Sequence, residues 1–326
     1  MRLFRWTTSI CPTLPHCFTW SCLADLQKKI SSNSTPEQLV GSLADRTPDS
    51  QAYPNVHHAQ ILKAELARRF DMKSVYGRVM MAGGEPVQLG NKKGVVYRKS
   101  PEQDALERWM TRQFLDVGRN MAKAWRRALQ RIDFAAMLKS VMGSIGTHGE
   151  NRNRWRTPKT SPIPSSITWT RNGSFRFGLD LLGVPEAADW VITDWIERRR
   201  PSLRDHLPYF VFLLTVNLFF CLVLPTRLLR NVKPSHQIHL AYLYYLPFCS
   251  VFTSKDNFHA QIVPLFLDPF QTFVNGTELK EEQKHLVEHY SALPEDERKT
   301  GLINFAKCPP DDQSFLTTRL WDKYLP

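Results

Sequence analysis

Asp256 closes the run Ser250-Val251-Phe252-Thr253-Ser254-Lys255-Asp256, in which an apolar, β-prone stretch passes directly into a polar turn. In α/β proteins functional groups collect at the carboxyl ends of the strands, so a carboxylate here can hold a metal ion or orient a water. An Asp just ahead of Phe258 also suits the N-cap of a helix starting there, and the two roles are compatible. His239 stands seventeen residues upstream, at the start of the preceding helical stretch, where a second ligand would face Asp256. Imidazole binds metals, but Mg2+ prefers oxygen ligands, and a histidine at a helix start also serves as a local hydrogen-bonding group. One carboxylate alone does not build a hydrolytic two-metal site. Asp189, Asp194, Glu197 and Asp205 are the nearest further acids. Asp194 and Glu197 are three apart and share a helix face, with Arg198, Arg199 and Arg200 as ready ionic partners. Glu65 and Asp71 are weaker candidates. GxSxG, P-loop, HExxH and GxGxxG motifs do not occur, which argues against the corresponding hydrolase, NTPase, protease and dinucleotide-binding classes.

The charge is unevenly distributed. Of a net +12, residues 108–159 hold an excess of nine positive charges, twelve Lys and Arg against Asp116, Asp133 and Glu150. Such a block suits a polyanionic partner, most often nucleic acid and sometimes a membrane surface, although a solvated helical face with a basic loop has the same composition. The six cysteines contain no CxxC pair. Cys221 and Cys249 lie in apolar runs, where a thiol packs as a small core residue. His16, Cys17 and Cys22 resemble half a zinc site with no second pair at ligand spacing. Reduced thiols and a cytoplasmic location are expected.

The N-terminal stretch is interrupted by Pro12, Pro15 and His16, unlike the apolar core of a secretory signal. Residues 207–225 are uncharged over nineteen positions, near the lower limit for a membrane span. Asn217 in the middle, a proline near each end and arginines on both flanks favour a buried helix of a globular domain. A single span anchored there is the alternative.

These candidates need elements to position them. Hydrophobic content of 42% with 19 Phe and 9 Trp supports a real core. Residues 1–56 read as irregular, with short helices at 22–30 and from Thr35-Pro36-Glu37. Residues 57–142 read as a helical region: a helix over 57–70, a loop over 83–94, a short strand at 95–97, and a long helix opened by Ser100-Pro101. Leu106, Met110, Phe114, Val117, Met121, Trp125, Leu129 and Ile132 form its apolar stripe. Arg112, Arg119, Lys123, Arg126, Arg127 and Arg131 form its basic face. The helix breaks near Gly118 or runs on to Met142. Residues 143–166, with Arg152, Arg154 and Arg156, read as a linker or mobile loop. A hairpin turning at Asn172-Gly173 is expected over 167–177, then helices at 185–197, 208–224 and 237–246, a strand at 250–253, and a charged helix at 278–290. The tail is expected to pack through Leu320 and Trp321.

The run PSHQIHLAYLYYLPFCSVFTSKDNFH resembles the last helix–strand unit of PIN-like domains, a family of metal-dependent nucleases. Tyr245-Leu246-Pro247-Phe248-Cys249, then Val251-Phe252-Thr253-Ser254 and Asp256, match the family's turn, strand and acid. His239 stands where the family opens its helix with Asp, and Trp20-Ser21 where the acid of its first strand belongs. The resemblance covers about thirty residues. It implies an α/β fold with a small, mostly parallel sheet flanked by helices over 167–326, preceded by a helical N-terminal region. It further implies a hydrolase whose Mg2+ or Mn2+ is held by Asp256 and His239, with Asp256 catalytic, acting on RNA more readily than DNA. Arg112, Arg119, Lys123, Arg126, Arg127, Arg131, Arg152, Arg154 and Arg156 would then steer the nucleic-acid backbone. The other functions open to such a fold are a degenerate relative and a module that binds nucleic acid or protein without cleaving.

Overall fold

Among the described residues helices dominate, with one antiparallel and one parallel strand pair. This computed structural model describes Leu26 and residues 35–45, 57–69, 84–97, 101–130, 172–223 and 236–325. They fall into two compact units, one within Leu14–Phe248 and the other running on from Cys249. The helices expected at 22–30 (apart from Leu26) and the linker expected at 143–166 lie outside the described residues.

In the first unit, α1 (Pro36–Ala44) opens on a reciprocal capping box. Thr35 N donates to Gln38 Oε1 at 2.9 Å, and Gln38 N donates to Thr35 Oγ1 at 3.2 Å. In α2 (His58–Leu66) the ring of His57 supplies the cap. The stretch expected as a loop before residue 95 is instead a hairpin, β1 (Gly84–Leu89) and β2 (Lys92–Tyr97), joined by a two-residue turn at Gly90-Asn91. Gly90 has φ +60°, the left-handed backbone that such a turn needs. Leu89 is exposed, so an inward-outward alternation is hard to read in the sequence.

The long helix is two helices, α3 (Pro101–Met110) and α4 (Asp116–Gln130), and the break falls before Gly118. The chain leaves α3 through Arg112 at φ +61°, and the Arg112 guanidinium donates to the Trp109 and Met110 carbonyls at 3.1 and 3.3 Å. Those carbonyls have no partner within the helix, so the side chain acts as a C-terminal cap. Leu106 and Trp109 pack with Leu26, Val40 and Ala44. The apolar stripe does not stay buried, because Val117 and Met121 on α4 are 67% and 49% exposed.

Where a hairpin was expected, Asn172 and Gly173 open helix α5 (Asn172–Leu181). Phe175 and Leu179, one helical turn apart, are fully buried, and the Phe175 ring meets Trp195 and Phe210 edge-on at 5.4 and 5.3 Å. Gly178, between them at i+3, is buried on the same side, and the i, i+3, i+4 spacing belongs to a helix and not to a strand. A 3-10 turn (Pro185–Ala187), α6 (Ala188–Glu197) and α7 (Leu203–His206) follow. Next come α8 (Pro208–Val223), α9 (His236–Leu243) and a 3-10 turn (Leu246–Phe248).

α8 is the centre of this unit. Residues 208–221 have no exposed member. Tyr209, Phe210, Leu213, Leu214, Leu218 and Phe220 are buried to 2% exposure or less, each worth roughly 1.5–3 kcal/mol against exposure. Gly178 of α5 permits the close approach, since a Cβ there would meet Phe210 Cζ at 2.9 Å. At 16 residues, α8 is about 24 Å long, short of the ~30 Å bilayer core. Among the described residues no helix is long and apolar enough to cross a membrane, and α8 packs as an interior helix of this unit. Asn217 is satisfied: it donates to Leu213 O at 2.8 Å and accepts from the Tyr244 hydroxyl at 3.0 Å.

In the second unit β3 (Val251–Ser254) pairs in parallel with β4 (Thr272–Asn275), with Ser254 opposite Asn275. The crossover carries α10 (Asn257–Ile262) and a 3-10 turn (Val263–Leu265). α11 (Gly276–Ser291), α12 (Glu295–Lys299), α13 (Leu302–Phe305) and α14 (Leu316–Tyr324) complete it. Leu286, Tyr290 and Ala306 form a core cluster. The tail buries Leu316 and Thr318, while Leu320 and Trp321, expected to anchor it, are half-buried. The buried Glu282 of α11 accepts from Thr317 N and Oγ1 at 2.8 and 2.7 Å, which fastens α14 by its first turn.

Candidate metal centre

Both parallel strands run directly into helices capped by an Asx side chain. Asp256 Oδ1 accepts from Phe258 N at 2.7 Å at the start of α10, and Asn275 Oδ1 accepts from Thr277 N at 2.8 Å at the start of α11. Gly276 makes this turn possible, because a Cβ there would lie 2.9 Å from Lys255 N. Asp256 is therefore both the rim carboxylate and the helix cap that its sequence position suggests.

His259, three residues on, is buried and edge-on to Phe252 at 5.4 Å. Its Nδ1 lies 2.8 Å from Ser254 Oγ, and the same Oγ accepts from Asp256 N at 3.1 Å. Ligand atoms of Asp256 and His259 approach within 4.8 Å. A metal-bound histidine typically donates its other ring N–H to an oxygen; with Ser254 as that oxygen, the ring presents Nε2 to an ion. These two side chains offer one imidazole nitrogen and one carboxylate oxygen. This mixed set fits Mn2+ better than Mg2+, which prefers an all-oxygen shell. His259 was not singled out in the sequence, although an Asp N-cap with His three residues later is a readable spacing.

His239, expected as the second ligand, lies half-buried on α9 of the first unit, its ring 5.6 Å from that of His236. The acids considered beside it belong to that unit as well. Asp194 pairs with Arg198 at 2.8 Å, Arg68 at 3.7 Å and the largely buried His206 at 3.5 Å. Burial opposes ionisation of Asp194, but these cations hold its pKa below the ordinary value. Asp189 pairs with Arg176, while Glu197 and Asp205 are exposed. Glu65 is structural: its two oxygens accept from Tyr209 N and Phe210 N at 2.8 and 2.7 Å at the start of α8. Burial pushes the Cys221 thiol up to about 11 and that of Cys249 to about 12, so on their own both are neutral thiols at neutral pH.

Among the basic residues, Arg112 forms a two-pronged pair with Asp45 at 2.9 and 2.5 Å, and Arg119 bridges Asp116 and Glu37 at 2.8 and 3.1 Å. Lys123 and Arg127 are exposed on α4. Arg126 lies on the same helix; its side chain is outside the description, as are Arg131, Arg152, Arg154 and Arg156 altogether. Comparison with family models, curated proteins and solved structures finds no match to this chain.

Proposed function

We propose that this chain is a nucleic-acid-binding protein of the PIN-like kind that holds one divalent cation, Mn2+ ahead of Mg2+, on Asp256 and His259. The observation that carries the reading is the approach of these two side chains at the carboxyl end of β3, one strand of a parallel pair. In α/β proteins that edge is where ligands collect. The net charge of +12 favours a phosphate backbone as partner, and the family resemblance favours RNA over DNA. Two-metal phosphodiester hydrolysis uses several carboxylates to neutralise and space the ions. A single carboxylate beside one imidazole suits binding without cleavage, as in a reduced relative of the nucleases.

A second reading, a metal-dependent ribonuclease with Asp256 catalytic, is favoured by the buried His259 held through Nδ1 by Ser254, an arrangement shared with histidine ligands of working metal sites. One experiment separates the two. Labelled RNA is incubated with the full chain and Mn2+, and both binding and cleavage are followed. Salt-dependent binding with intact RNA supports the first reading. Cleavage that disappears in Asp256→Asn supports the second. An absence of both RNA binding and Mn2+ binding sinks the proposal.

A further inference from the structure

α4 carries two adjacent exposed rows of opposite character. Val117, Met121 and Ala124 follow one another at helical spacing, and Val117 and Met121 are 67% and 49% exposed. Leu115, just ahead of the helix, is 47% exposed. Lys123 and Arg127, one turn apart, form the neighbouring row, and both are exposed. Ala122, on the opposite side, is fully buried, and Arg119 ties that side to α1 through Glu37. The helix is therefore anchored in its unit while its apolar row and basic row face outward together. The one acid on it, Asp116, is already paired with Arg119.

A phosphate backbone has no use for exposed Val and Met side chains, whereas a helix lying in a bilayer interface needs both rows. Its apolar side chains enter the acyl boundary, and its basic ones meet anionic headgroups. We propose that this face of α4 docks on an anionic lipid surface, lying in the interface without crossing it. The proposal goes beyond the metal and nucleic-acid reading and does not rest on it: either can fail alone.

The test is co-sedimentation of the full chain with vesicles of phosphatidylcholine alone and of phosphatidylcholine mixed with phosphatidylserine. Binding is expected to the mixed vesicles and to be much weaker to the neutral ones. Lys123→Gln with Arg127→Gln should lower the partition roughly 30-fold, from about 1 kcal/mol per basic residue near an anionic surface. Val117→Gln with Met121→Gln should lower it on the order of a hundredfold, through lost apolar burial. Both pairs are exposed, so an unchanged thermal melt shows that the fold is intact in each variant. Equal binding to both vesicle types overturns the proposal, as does no binding to either. It is also overturned if the Val117/Met121 variant sediments like the parent. If, in addition, RNA binding falls in the Lys123/Arg127 variant alone, the face is a nucleic-acid surface instead.

Discussion

Glu65 and Asp256 are both carboxylates at the start of a helix, one in each unit, and they do this work in different ways. Glu65 reaches α8 from a helix 144 residues earlier, is 2% exposed, and has both oxygens occupied by backbone N–H groups. Asp256 caps its own helix through Oδ1, is half-buried, and stands beside an imidazole. A cap delivered from a distance joins two elements and is wholly structural. A local cap leaves the carboxylate at a strand edge, where ligand chemistry is open to it. Glu282 repeats the first pattern inside the second unit, so the difference follows the reach of the side chain and not the unit that holds it.

The comparison breaks most visibly at Glu65. Glu65→Ala leaves two buried N–H donors of α8 without their charged acceptor, and about 3 kcal/mol or more of stability should be lost in urea unfolding. Glu65→Gln, which still offers one acceptor oxygen, should fall in between. If Glu65→Ala unfolds at the same urea concentration as the parent, the contrast between the two carboxylates is wrong.

Asp256 should behave in the opposite sense. Mn2+ at a hundredfold excess over its dissociation constant should stabilise the protein by about 2.7 kcal/mol, read as a rise in Tm. That rise should vanish in Asp256→Asn and in His259→Gln. Without metal, Asp256→Ala should cost about 1 kcal/mol for the lost cap, whereas Asp256→Asn, a good cap, should cost little. A metal-induced rise that persists in Asp256→Asn would place the cation elsewhere.

The same contrast explains what could be read in advance. Thr35-Pro36, the strand ending at Ser254 and the cap at Asp256 are local: each partner lies within a few residues, so spacing suffices. α8 was legible because nineteen uncharged residues leave few alternatives, and its interior setting is consistent with Asn217 in its middle. Glu65 was not legible as a cap, since its partners are distant in the chain. Asn172-Gly173 misled because that dipeptide suits both a hairpin turn and a helix start, and only the shared burial of Phe175, Gly178 and Leu179 against distant partners decides between them. The break after α3 depends on the Arg112 guanidinium meeting Asp45, again a distant partner.

The smallest expected effect lies at His206, where a long-range cluster should reveal itself through pH. Arg68 donates to the His206 carbonyl at 2.8 Å and approaches its ring, Arg198 adds positive charge, and Asp194 opposes them from 3.5 Å. Burial first, and then Arg68, lower the pKa of His206 below its ordinary 6.5. As pH falls, the unfolded chain therefore takes up this proton before the folded one does. The contribution is intact above about 6.5 and declines as pH drops from there toward the lowered folded value. Asp194 does not confuse the result, because its pKa lies below 3.8 and its own contribution is lost only in more acid solution. Stability measured between about pH 7 and pH 5 should fall more steeply in the parent than in His206→Gln. Parallel curves would mean that the ring is not held neutral by Arg68 and burial, and the cluster would then be a set of surface ion pairs of little consequence.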